Sequence, residues 1–173
     1  ISNFIIIPKF LESGINFSLK IILRLGIICL GIRLGILDIL EIGMIGIPLI
    51  AACIIISIFL VGYLAKIFKI SSKMGSLIAV GTSICGASAI VATSPAINAN
   101  KEEVTYAVAN ITIFGVIAML LYPFLGGYIF DNDEMAVGLF LGTSIHETAQ
   151  VAGAGLIYAE QFNSPKTMEV ATV

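Results

Sequence analysis

His146, Glu147 and Gln150 are the residues of this chain best suited to chemistry, and they sit where such groups are costly. His146 is the only histidine, and Glu147 follows it directly, about ten residues inside an apolar run. Charged groups at membrane depth cost roughly 2.5–3.5 kcal/mol on insertion scales, so they normally face a cavity, a partner or a transport path. There the pair could carry protons or orient a substrate. On a continuous helix His146 and Gln150 share a face at i and i+4, while His146 and Glu147 point about 100° apart. The plainer alternative is that the pair only satisfies backbone groups freed by a helix break.

The break is suggested by a phrase that occurs twice. Gly81-Thr82-Ser83-Ile84 is followed by Cys85-Gly86-Ala87-Ser88, and Gly142-Thr143-Ser144-Ile145 is followed by His146. Glycine and paired hydroxyls weaken a helix where no water replaces lost hydrogen bonds. Two such interruptions at matching places point to a transporter substrate site. Gly81 and Gly86 permit unusual backbone geometry. A half-helix starting near Gly86 would offer free N–H groups to an anion, with Thr82, Ser83 and Ser88 as hydroxyl donors. Small residues also let membrane helices pack closely, so glycine spacing alone fits packing equally well. Cys85 reads better as a small packing residue than as a reactive one. Asn110 and Thr112 are further candidates to face a cavity.

These groups need elements to hold them. Hydrophobic residues make up 58 % of the chain and charged residues 12 %. The mean hydropathy is +1.07. A soluble domain carries roughly 25 % charge, so the chain is an all-α, polytopic membrane protein. A spanning helix needs about 20 apolar residues. Five segments approach that, roughly 17–37, 42–65, 74–97, 104–125 and 135–158, read as one transmembrane domain over 1–173. Pro123 should end or kink the fourth. Cys29, Cys53 and Cys85 all lie in apolar runs, which argues against a disulfide framework or a zinc site. Arg33 and Asp38 could pair at the interface, and snorkelling explains Arg33 better than transport does. The start at Ile1 and the stop at Val173, inside what reads as a sixth helix, suggest a fragment of a longer protein.

Lys9, Lys20, Arg24, Lys66, Lys69 and Lys73 fall on one side of these spans, and Lys101 and Lys166 on the other. That bias places the Lys66–Lys73 loop in the cytoplasm. It also creates a tension, because one intervening span would leave the two broken segments parallel. Either both cross the same way, or one is a re-entrant hairpin, or the inverted partner lies outside this chain.

Phosphate loops, dinucleotide fingerprints and nucleophile elbows are absent, and no basic patch suits nucleic acid. The motifs do resemble one family. Gly81 to Ile90 with Ala92-Thr93 and Pro95, Ile113-Phe114-Gly115, Ala118-Met119 with Tyr122-Pro123, and Gly142 to Val151 resemble the signature of the YeiH-type membrane proteins, also called UPF0324. So does the stretch from Leu25-Gly26 through Gly31-Ile32-Arg33-Leu34 to Asp38-Ile39. The resemblance implies a bacterial inner-membrane protein roughly double this length. Such proteins are labelled sulfate exporters and grouped with secondary transporters whose fold crosses broken helices. It also implies further helices on both sides of this chain.

The expected function is therefore secondary transport of a small anion, such as sulfate or a related oxyanion or organic anion. Candidate substrate contacts are Thr82, Ser83, Cys85, Gly86, Ser88, Asn110, Thr143, Ser144, His146, Glu147 and Gln150. A coupling proton or sodium ion and the lipid bilayer are the expected partners, with no cofactor. A homo-oligomer stays open. An intramembrane enzyme or a channel subunit are the alternatives. An enzyme would want a clearer nucleophile or metal-ligand set, and a channel a continuous polar stripe. A cysteine placed at Ser71 should resist a membrane-impermeant reagent in intact cells; efficient labelling would reverse the assigned orientation.

Overall fold

The computed structural model describes residues 36–172, together with positions 14, 17, 21, 25 and 28. The chain divides into two compact units, Ile1–Ile39 and Leu40–Val173. Lys9, Lys20, Arg24, Cys29 and Arg33, and with them the first span, lie outside the described residues, as does the side chain of Asp38.

The described residues form seven helices: α1 (Ile36–Ile67), α2 (Ser72–Ser83), α3 (Ala87–Thr93), α4 (Lys101–Ile129), α5 (Glu134–Ser144), α6 (Thr148–Phe162) and α7 (Pro165–Thr172). Two are long and apolar enough to cross a membrane: Gly43–Ile67 of α1, with mean hydropathy 2.8, and α4, with 2.1. Only 6 % of the α1 window is buried among the described residues.

The starts of these helices follow from their caps. Asn100 and Glu103 form a reciprocal capping box at α4, and Ser71 and Asp133 accept from Met74 and Ala136 at the starts of α2 and α5. Each such cap is worth about 1 kcal/mol. Pro123 does not end α4, which continues to Ile129 with the proline buried. One missing N–H is a small loss in a 29-residue helix whose neighbours pack around it.

Segments 74–97 and 135–158 break as expected but do not run straight through. At the first, Lys73 Nζ donates to the Asn98 carbonyl at 2.6 Å, and the Ser71 hydroxyl donates to Glu103 at 2.9 Å. The start of α2 thus sits beside the end of α3 and the start of α4. Leu77, Ile90, Ala107 and Ile111 form one buried cluster, and a Cβ on Gly81 would lie 2.7 Å from Ile90. α2 runs alongside α4, and α3 turns back beside it.

The second segment repeats this from the other end of α4. The Ser164 hydroxyl donates to Glu134 at 2.7 Å, and the Tyr158 hydroxyl to Asn132 at 3.2 Å. A Cβ on Gly126 would meet Val137 and Phe140 of α5, and one on Gly127 would meet Tyr158 and Phe162 of α6. α5 therefore runs back along α4, and α6 returns to the starting end. α7 packs between α5 and α6: Val170 fills the notch at Gly138, and Met168 lies against Gly155.

Both broken segments are hairpins, and α4 separates their open ends. This resolves the tension over parallel segments, because hairpins entering from opposite ends of one helix are inverted relative to each other. It also corrects the assignment of Lys101, which shares an end with Lys66, Lys69 and Lys73. In a chain cleared of its native cysteines, a cysteine at Glu102 should label from the same side as one at Ser72, and a cysteine at Asp131 from the opposite side. Opposite labelling of Ser72 and Glu102 would restore the full crossing.

Candidate functional site

The hairpin tips meet at the Ile111 level of α4. Gly86 adopts φ 64° and ψ −127°, a region that costs a residue with a side chain about 1–3 kcal/mol. A Cβ there would also lie 3.2 Å from the His146 carbonyl oxygen and 3.2 Å from Ile111. Conformation and close approach both require glycine at this point. The second tip needs none, because Ile145 and Glu147 are extended, with φ/ψ of −101°/132° and −123°/128°.

Each break frees backbone groups that must find other partners. The Gly86 N–H, which an unbroken helix would direct to Thr82, donates to the Gly81 carbonyl at 3.1 Å. The Thr82 carbonyl is left facing the His146 imidazole. The tips thus brace each other, backbone against ring.

Beside them lies a cavity of about 260 Å³, walled by α1, both breaks, and the inner ends of α5, α6 and α7. Its polar lining is Cys85, Thr143, His146, Thr148 and Thr172. Thr148 and Thr172 were not among the residues expected from sequence. Thr148 follows the Gly-Thr-Ser-Ile-His-Glu run, and Thr172 belongs to a helix that becomes a wall only when α7 folds back along α5.

The other expected residues divide by location. Ser88 is exposed and Asn110 half-buried, and neither lines the cavity. Asn110 Nδ2 donates to the Tyr106 carbonyl of its own helix. Ser83, Thr143 and Ser144 donate to the carbonyls of Ala79, Leu139 and Phe140, each one turn earlier. A hydroxyl has one proton, so these three present lone pairs, and Ser83 is not the free donor expected. Thr82 contributes its carbonyl. Glu147 is half-buried as the N-cap of α6 and does not line the cavity.

Gln150 departs furthest from expectation. It does not share a face with His146, because the helix starts at Thr148 and the i, i+4 relation fails across the break. Instead it is 93 % buried against α4, where a Cβ on Gly115 would collide with its amide. Its Nε2 donates to the Thr112 carbonyl at 3.5 Å, while its Oε1 has no partner. Among the described residues that oxygen has no hydrogen-bond donor. Gly115 was read from sequence only as part of a motif; a glycine amid the large side chains of a span signals close helix approach.

α3 has seven residues and α6 fifteen. The stronger helix end at the tips is therefore that of α6. It carries no side-chain cap, and its first residue, Thr148, lines the cavity.

The family described as conserved hypothetical protein 698 matches residues 1–173. A UPF0324 membrane protein of Streptococcus agalactiae is 36 % identical over 162 residues, covering 94 % of this chain and 48 % of the relative. One from Clostridium tetani is 40 % identical over 151 residues, covering 87 % and 43 %. One from Bacillus cereus is 41 % identical over 152 residues, covering 86 % and 43 %. The chain spans about half the length of these relatives. No solved structure matches it. Matched over its whole length, and this similar to membrane proteins of three genera, the chain belongs to the conserved hypothetical protein 698 family of UPF0324 membrane proteins.

Proposed function

We propose that this chain forms part of a secondary transporter that moves a small anion across the bacterial inner membrane, within a multi-pass protein. One observation carries the reading: two hairpins enter from opposite ends of α4, and their tips meet beside a largely apolar cavity into which Cys85, Thr143, His146, Thr148 and Thr172 bring polar groups. Non-helical backbone is tolerated at membrane depth only where protein buries it or it lines a cavity. Inverted elements whose interruptions meet can exchange which side is open by rocking against each other. A channel would want polar groups along a whole path, whereas here they gather at the tips. An enzyme would turn over its substrate without translocating it, which the same assay distinguishes.

The anion reading rests on the donors. α6 begins at the cavity with uncapped N–H groups and the positive end of its dipole, which suits an anion. His146 lines the same space, and as an imidazolium it would offer the cavity a second N–H besides the one beside the Thr82 carbonyl. Glu147 stands at that helix end, and its charge and a bound anion would repel. A proton carried on Glu147 removes the repulsion, which gives a route to proton coupling and favours a proton over sodium. Sulfate is one candidate among oxyanions and small organic anions.

The test uses the full-length protein in proteoliposomes, offered labelled sulfate, sulfite and small carboxylates under an imposed pH gradient. His146→Ala should lower uptake at least about tenfold, the equivalent of ~1.4 kcal/mol. Glu147→Gln should retain uptake while weakening its stimulation by the imposed pH gradient. Full uptake with an unchanged pH profile in both variants would leave His146 and Glu147 as plugs for the helix break.

A further inference from the structure

The hinge between α1 and α2 builds a second site, well away from the hairpin tips. α1 closes with the Ile70 N–H donating to the Ala65 carbonyl at 2.9 Å and the Lys69 N–H to the Lys66 carbonyl at 3.2 Å. Lys69 sits in the left-handed region at φ 54°. This paired helix-end turn fixes where Lys66 and Lys69 leave the chain. It also brings α2 back so closely that a Cβ on Gly75 would lie 2.8 Å from the Ala65 Cβ.

Between α1 and α2 lies a groove of about 380 Å³. Ile58 and Gly62 of α1 and Ala79 and Val80 of α2 line it, and Lys66, Ser72 and Ser76 line it nearer the turn that joins the two helices. Gly62 has open space in front of it, with nothing within 4 Å of where a Cβ would stand. Lys73 is engaged by the Asn98 carbonyl. Lys66 and Lys69 are exposed, and neither makes a side-chain hydrogen bond among the described residues.

We propose that this groove binds an anionic phospholipid. One acyl chain lies along Ile58 and Gly62, and the phosphate sits on Lys66 and Lys69. Shape and charge agree on this occupant. From Ile58 to Lys66 the helix rises about 12 Å, apolar at one end and cationic at the other, which is the polarity of a lipid. The apolar end points into the α1 run of mean hydropathy 2.8, and the lysines stand where that run stops. Basic pockets between membrane helices hold acidic headgroups in this way. A free phosphate would have no use for the apolar wall, and a neutral lipid none for the two lysines. The site owes nothing to the transport reading and stands or falls without it.

The test is lipid retention by the full-length protein, purified in mild detergent and examined by native mass spectrometry with titrated phosphatidylglycerol and phosphatidylethanolamine. The wild-type protein should retain phosphatidylglycerol in preference. The double variant Lys66→Gln, Lys69→Gln should weaken that retention about fivefold per lysine. Gly62→Leu should fill the groove and displace the lipid with both lysines intact. Should Gly62→Leu not fold, the lysine variant, altered only at exposed side chains, carries the test alone. Equal retention of the two lipids, or unchanged retention in the lysine variant, would overturn the proposal. So would a cysteine at Ile58 crosslinking in good yield to another part of the chain or to a second copy, since protein would then occupy the groove.

Discussion

A backbone N–H or C=O inside a lipid bilayer has no water to turn to, and each one left unpaired costs several kcal/mol. The arrangement of Leu40–Val173 depends on that constraint. Two helices stop halfway, at Ser83 and at Ser144, and neither interruption could stand alone in lipid. They are tolerated because each supplies what the other lacks. The His146 imidazole lies beside the Thr82 carbonyl released by the first break. The first tip presents a glycine where the His146 carbonyl needs room. Placing the tips together turns two costly defects into one polar locus with a cavity beside it.

α4 makes that meeting possible. Along its length it offers Ile111 to the first tip, and then notches at Gly115, Gly126 and Gly127 to the second hairpin. The notches receive Gln150, Phe140 and Tyr158 in turn, so the second hairpin is registered against α4 over several turns. A larger residue at any notch would push the hairpin outward and part the tips.

The open ends of the hairpins are fastened differently from their tips. At one end the clasp is Lys73 with Asn98 and Ser71 with Glu103. At the other it is Glu134 with Ser164 and Asn132 with Tyr158. The first clasp is open to water while Ser164 and Tyr158 of the second are buried, and each such hydrogen bond adds about 0.5–1.5 kcal/mol net. Their role is direction: each clasp returns its hairpin to the end where it entered. Packing inside then only has to hold α2 to α3, and α5 to α6 with α7 between them.

Much of this was legible in the residues. Composition and hydropathy were enough for an all-helical membrane protein, because lipid exposure leaves few alternatives. The repeated Gly-Thr-Ser-Ile was enough to place both breaks to within a few residues, because glycine and paired hydroxyls together weaken a helix that has no water to fall back on. His146 and Cys85 were marked as candidates and do line the cavity. The sequence could not say that the broken segments turn back, since an apolar run of spanning length looks the same whether it crosses or returns. Only Lys73 against Asn98 and Glu134 against Ser164, pairs distant in the chain, decide that. Nor could it sort the hydroxyls or place Gln150. Helical spacing predicts a shared face only while the helix continues, and the break between His146 and Thr148 sends one side chain to the cavity and the other into the notch at Gly115.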